Sequence, residues 1–122
     1  MKIHESAENY LETILVLQKR KGVVRSIDIV NELGYSKPSV SVAMKNLRKN
    51  EYIEVNEHGH ISLCESGRQI AVKMLERHNI ISSYLCALGV DADQADEDAC
   101  RIEHIISEET FNALKQNLDK KK

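Results

Sequence analysis

Gly34-Tyr35-Ser36-Lys37-Pro38-Ser39-Val40-Ser41 is the stretch whose reading decides how this chain folds. The glycine breaks the pattern that precedes it. Ser36 can accept a hydrogen bond from the start of a new helix, and Pro38 falls in that helix's first turn, where a missing N–H costs little. Downstream, Val40, Ala43, Met44 and Leu47 recur at helical spacing and predict the buried side, with Ser39, Ser41, Lys45, Arg48 and Lys49 outside. Upstream, Ser26 is the expected cap of a short helix ending at Leu33, its stripe made of Ile27, Ile29, Val30 and Leu33. A short helix, a glycine turn and a second helix with a polar, basic N-terminal half predict a helix-turn-helix.

The next segment extends that reading. Residues 52–55 and 60–63 are short β-prone runs joined by Asn56-Glu57-His58-Gly59, which predicts a hairpin in the position of a wing. His58 and His60 have no acidic or thiol partner usefully placed, so they are expected on the loop and strand surface. Cys64 closes the hairpin as a small packing residue. Before the short helix, residues 5–20 place Ala7, Tyr10, Leu11, Ile14, Leu15 and Leu17 at helical spacing, ending at Lys19–Gly22. The polar side of that helix carries Asn9 and Glu12, three apart: an ordinary solvated face, or two oxygen ligands for something docked there.

Charge is divided unevenly. Residues 19–50 hold eight cationic side chains against two anionic ones, whereas residues 51–122 hold eight against fourteen. A basic front and an acidic back suit a polyanion-binding module joined to something else. Aromatic residues make up 4% and Trp is absent, which argues against single-strand binding by base stacking. Three cysteines without framework spacing make disulfides unexpected, and no apolar run is long enough for a membrane span, so a cytoplasmic address with no membrane partner is expected.

From Ser66 a long helix is predicted to run toward Gly89 through Ile70, Met74, Leu75, Ile80, Ile81, Tyr84, Leu85 and Leu88, with Cys86 in the core and His78 midway. Another restarts at Asp91 and contains Asp98-Ala99-Cys100-Arg101-Ile102-Glu103-His104. If that stretch is helical, Cys100, Glu103 and His104 share a face. Thiolate, carboxylate and imidazole are each common transition-metal ligands. A buried Glu103–His104 ion pair assisted by Arg101 explains the same residues without a metal. Catalysis is not expected, because no general base stands apart from these groups. A last helix is predicted over residues 107–118, with Phe111, Leu114 and Leu118 on one side and a frayed Lys120-Lys121-Lys122 tail.

Taken together, Ala7-Glu8-Asn9-Tyr10-Leu11-Glu12-Thr13-Ile14, Ser36-Lys37-Pro38-Ser39-Val40-Ser41, Leu75-Glu76-Arg77-His78 and the stretch from Asp98 through Ser107 resemble the metal-dependent repressors typified by the diphtheria toxin repressor and the manganese transport regulator. The resemblance spans nearly the whole chain. It implies a mainly α fold: a winged helix-turn-helix DNA-binding domain over residues 1–65, then a helical metal-binding and dimerisation domain over residues 66–122. It also implies the short form that lacks a C-terminal SH3-like domain. Carried over position by position, it implies the metal ligands Glu12, His78, Cys100, Glu103 and His104, with Asn9 where better-known branches have Met or Asp. The implied corepressor is Mn²⁺ or Fe²⁺, with Zn²⁺ or Co²⁺ able to substitute. The implied partners are a double-stranded operator and a second copy of the chain. Ser36, Lys37, Ser39, Ser41 and Lys45 are the expected groove and phosphate contacts, with Arg25 on the DNA backbone.

Overall fold

A computed structural model describes residues 5–120. The order is α1 (Glu5–Lys21), α2 (Ser26–Leu33), α3 (Lys37–Lys49), β1 (Ile53–Val55), β2 (Ile61–Leu63), α4 (Glu65–Ala87), α5 (Ala92–Ile102) and α6 (Glu108–Lys120). The architecture is the mainly α one expected, a winged helix-turn-helix followed by helices. The chain divides into two compact units, residues 1–72 and 73–122. Lys121 and Lys122, in the tail expected to be frayed, lie outside the described residues.

In the first unit α1 is central. Tyr10, Leu11, Ile14, Leu15 and Leu17 are all buried, so this helix is enclosed on most of its circumference. It packs against α2, α3 and β2. Gly22 ends it in the left-handed conformation (φ 86°), its N–H bonded to the Gln18 carbonyl. Ile29, Val40, Met44 and Leu47 fill the space between α2, α3 and α1. Ser36 caps α3 as predicted, accepting from the Ser39 N–H at 3.2 Å.

The cap of α2 differs from expectation. Arg25, not Ser26, is the N-cap, and its backbone N–H donates to the Asp28 carboxylate at 2.9 Å. Asp28 also pairs with Lys21. The hydrogen bond from Lys21, and then the Arg25 N–H, hold the Asp28 carboxyl below the ordinary carboxylate value. Because the folded-state pKa is depressed, this stabilisation is complete above the unfolded value of about 4 and is lost as pH falls through the folded one. Asp28→Ala should therefore destabilise the first unit by about 1 kcal/mol at neutral pH. Urea melts at pH 7 and pH 3 check this: the gap between variant and wild type should narrow on acidification, and a constant gap would refute the assignment.

The wing is a hairpin pairing Ile53 with Leu63, Glu54 with Ser62 and Val55 with Ile61. Its turn is held by the Asn56 side chain, which accepts from the N–H groups of His58 (2.9 Å) and His60 (3.0 Å). The Ile61 N–H donates to the Val24 carbonyl at 2.8 Å, so the segment after α1 adds a bridge to the sheet. Gly67 permits the close approach of α4: a Cβ there would fall 2.2 Å from the Tyr52 carbonyl oxygen.

In the second unit, Ala95 and Ala99 of α5, Phe111 of α6 and Met74 and Ile81 of α4 are buried. Arg77 is also buried and organises the end of α5. Its Nη1 donates to the carbonyls of Glu103 and Ile106, each at 3.0 Å, and its guanidinium lies 5.3 Å from the Phe111 ring centre. The Tyr84 hydroxyl donates to the Leu114 carbonyl at 2.7 Å. Ser107 precedes α6 and accepts from the Thr110 N–H at 3.0 Å. Cys86, expected in the core, is exposed, as is Leu88 immediately after α4. Helix α4 there approaches Gly89 and presents its last apolar residues outward.

Candidate metal centre and nucleic-acid interface

In the second unit the structure sets three of the singled-out side chains side by side. Helix α5 ends at Ile102, and Glu103 is its C-cap, still with helical dihedrals and its N–H on the Ala99 carbonyl at 2.9 Å. His104 follows in a tighter turn, its N–H 3.4 Å from the Arg101 carbonyl. The motif thus straddles a helix terminus rather than running through one helix. Glu103 is fully buried (0%). Its Oε1 lies 3.3 Å from Nδ1 of His78 on α4 and 3.9 Å from Nε2 of His104. Among the described residues, its Oε2 has no hydrogen-bond partner.

A carboxylate held out of water costs several kcal/mol unless a cation or donors compensate it. Here two imidazoles approach one oxygen, and the other oxygen receives no hydrogen bond from the described residues. Such a set suits a divalent ion better than a self-contained ion pair. Arg101, expected to assist Glu103, instead lies 3.5 Å from the Glu97 carboxylate on the exposed side of α5. Arg77 holds the backbone of Glu103 in its place. Cys100 is half-buried one turn before Glu103.

The remaining implied ligands lie on α1, in the first unit. Glu12 is buried there (7%), and Asn9 is half-buried with its carbonyl accepting from the Thr13 hydroxyl at 2.8 Å. The implied DNA contacts belong to the same unit. Lys37, Ser39, Ser41 and Lys45 are exposed along α3, and Ser36 is exposed at its cap. The Ser36 hydroxyl donates to the Ser39 hydroxyl at 2.8 Å, so these two act together. Arg25 is exposed at the base of the wing, its Nη2 3.2 Å from His60 Nε2.

Two further residues stand out in the structure. Val42 is 60% exposed in the middle of α3, an apolar side chain among its serines and lysines. The positions 40, 43, 44 and 47 predicted for the buried side already exclude 42 from the core face, and that was the available signal; of them 40, 44 and 47 are buried and Ala43 is half-buried. Asp96 contacts His78 Nε2 at 2.6 Å. It stands four residues before Cys100 and seven before Glu103, on the same helical face.

Comparison with known proteins extends these observations. Residues 2–61 match the family model "iron dependent repressor, N-terminal DNA binding domain", and residues 64–122 match "iron dependent repressor, metal binding and dimerisation domain". The chain is 34% identical over 111 residues to the transcriptional regulator MntR of Escherichia coli, covering 91% of this chain and 72% of that protein. It is 35% identical over 102 residues to the HTH-type transcriptional regulator MntR of Listeria welshimeri, covering 84% and 72%. The solved structure of the manganese regulator SloR superimposes with a TM-score of 0.83 at 25% identity, covering 98% of this chain and 55% of that one. The chain thus spans about half the length of that solved relative. With both halves matched in order, the chain belongs to the iron-dependent repressor family of metal-dependent transcriptional regulators.

Proposed function

We propose that this chain is a DNA-binding repressor of metal-ion homeostasis whose affinity for its operator rises when a divalent cation is bound. The observation that carries the reading is the buried Glu103 carboxylate, with His78 at 3.3 Å and an oxygen that no donor among the described residues reaches. His78, Cys100, Glu103 and His104 would hold the ion, and Glu12 and Asn9 of α1 would add oxygen donors. The bound ion supplies positive charge that offsets carboxylates otherwise costly to bury. Mn²⁺ and Fe²⁺ are the proposed physiological metals: the carboxylates and Asn9 suit Mn²⁺, the Cys100 sulfur suits Fe²⁺. Zn²⁺ and Co²⁺ would substitute.

The proposed functional division is residues 1–65 for DNA and 66–122 for metal and dimerisation. Lys37, Ser41 and Lys45 lie four apart on α3 and would follow the groove, with Ser36 and Ser39 at the helix start where backbone N–H groups favour a phosphate. Arg25 would touch the DNA backbone beside the wing. A two-fold dimer would present two such helices about 34–36 Å apart, one turn of DNA. Among the described residues no helix is long and apolar enough to cross a membrane; a cytoplasmic regulator is proposed.

Titrating operator DNA in the presence of each metal, with wild type and Cys100→Ala, tests the reading. Wild type should bind at least about 10-fold more tightly with Mn²⁺ or Fe²⁺ than with chelator. Cys100→Ala should weaken the Fe²⁺ response more than the Mn²⁺ response. DNA affinity indifferent to every divalent metal would end the corepressor reading.

A further inference from the structure

His78 lies between two carboxylates. Its Nδ1 is 3.3 Å from Glu103 Oε1, and its Nε2 is 2.6 Å from Asp96 Oδ1. A protonated ring would donate to both carboxylates, whereas a metal-ligating imidazole is neutral, with one N–H and one lone pair, and can donate to only one of them. The shorter contact is to Asp96. With the proton on Nε2 and donated to Asp96, the Nδ1 lone pair is left on the side of the buried Glu103 carboxylate, where an electron pair and an anion face each other. That arrangement suits a cation, a proton or a metal ion, held between them.

The neighbouring acids are engaged elsewhere. Asp98 accepts from the Gln94 side chain at 2.9 Å, and Glu97 pairs with Arg101. The Asp96 side chain is 72% exposed, whereas that of His78 is 16% exposed, so the carboxylate reaches the ring from the solvent side. We infer that Asp96 is a positioning residue for the metal centre: it fixes the tautomer and the plane of His78 so that Nδ1 is the nitrogen presented beside Glu103. Carboxylates that accept from the far nitrogen of a ligating histidine commonly have this effect, raising the ring's basicity as well as orienting it. The inference rests on the proposed function, since it assigns His78 as a ligand.

The test uses the full chain and Co²⁺ or Mn²⁺ alone, by calorimetry and by the visible spectrum of the Co²⁺ form. Asp96→Ala should weaken each metal by about 10–100-fold with unchanged stoichiometry, an unchanged metal-free melting temperature and an altered Co²⁺ spectrum. Asp96→Asn retains a carbonyl acceptor and should recover part of the loss. Wild-type affinity in Asp96→Ala would overturn the inference and leave the proposed function standing. An Asp96→Asn variant as weak as Asp96→Ala and with reduced stoichiometry would make Asp96 a ligand, which also overturns it. A wild-type chain that binds neither metal would remove the proposed function and this inference with it.

Discussion

Glu103→Gln should have effects of opposite sign on metal affinity and on metal-free stability. Glutamine keeps the shape of a fully buried side chain but removes its charge. The wild-type carboxylate contacts His78 at 3.3 Å and leaves Oε2 without a hydrogen-bond partner among the described residues, so in the absence of a cation it is a net cost to the fold. A neutral amide in its place can donate to the imidazole nitrogen. The metal-free variant should melt at a temperature higher by about 2–5 °C. Its affinity for Mn²⁺ or Co²⁺ should fall by more than about 100-fold, beyond the loss usual for residues outside the ligand set. Scanning calorimetry and metal titration of the same sample check both. A residue placed only for stability would not separate the two; a variant that is both destabilised and still metal-binding would refute the assignment. This is the pattern expected where function is retained at the expense of fold stability.

Gly67→Ala should be the most damaging single change in the first unit. The added methyl would fall 2.2 Å from the Tyr52 carbonyl oxygen and 3.3 Å from a Leu11 methyl. The Tyr52 backbone cannot yield, because its N–H bonds the Leu47 carbonyl at 3.0 Å and its carbonyl accepts from Cys64 at 2.9 Å. Relief requires moving either the start of α4 or the strand that follows α3, and overpacking of that kind costs about 3 kcal/mol or more. DNA binding should be lost near body temperature, and the urea midpoint should shift accordingly. Gly59→Ala is the control. It has a left-handed φ of 78° but nothing near its Cβ, so only the backbone cost of about 1 kcal/mol applies. Equal stability of the two variants would show that the approach at Gly67 is not as tight as described.

What could be read from the sequence was the part written in local chemistry. Ser36 and Pro38 mark the start of α3 wherever the chain goes afterward, and Gly22 and Gly34 mark helix ends by their backbone freedom. The hairpin was legible for the same reason, from β-prone runs around a turn. Spacing also singled out Glu103 and His104, and resemblance singled out His78, which the structure sets beside Glu103. Relations across the fold were not legible. Nothing local distinguishes Arg77 from Arg101 as the arginine that serves Glu103, since one reaches it from another helix and the other is merely close in sequence. The core assignment of Cys86 failed because an apolar stripe says which side of a helix is buried, not how far along it the burial continues. Gly67 carries no turn signal, its role being set by a backbone fifteen residues earlier.

The two carbonyls gripped by Arg77 bracket the bend in which Glu103, His104 and Ile105 lie. That bend is shaped by a protein cation that is always charged, and it therefore exists before any ligand arrives. An incoming ion meets donors whose backbone is already ordered, so its association need not supply the entropy of freezing a loop. Under the proposed function, the free energy of binding would then come mainly from the donors themselves.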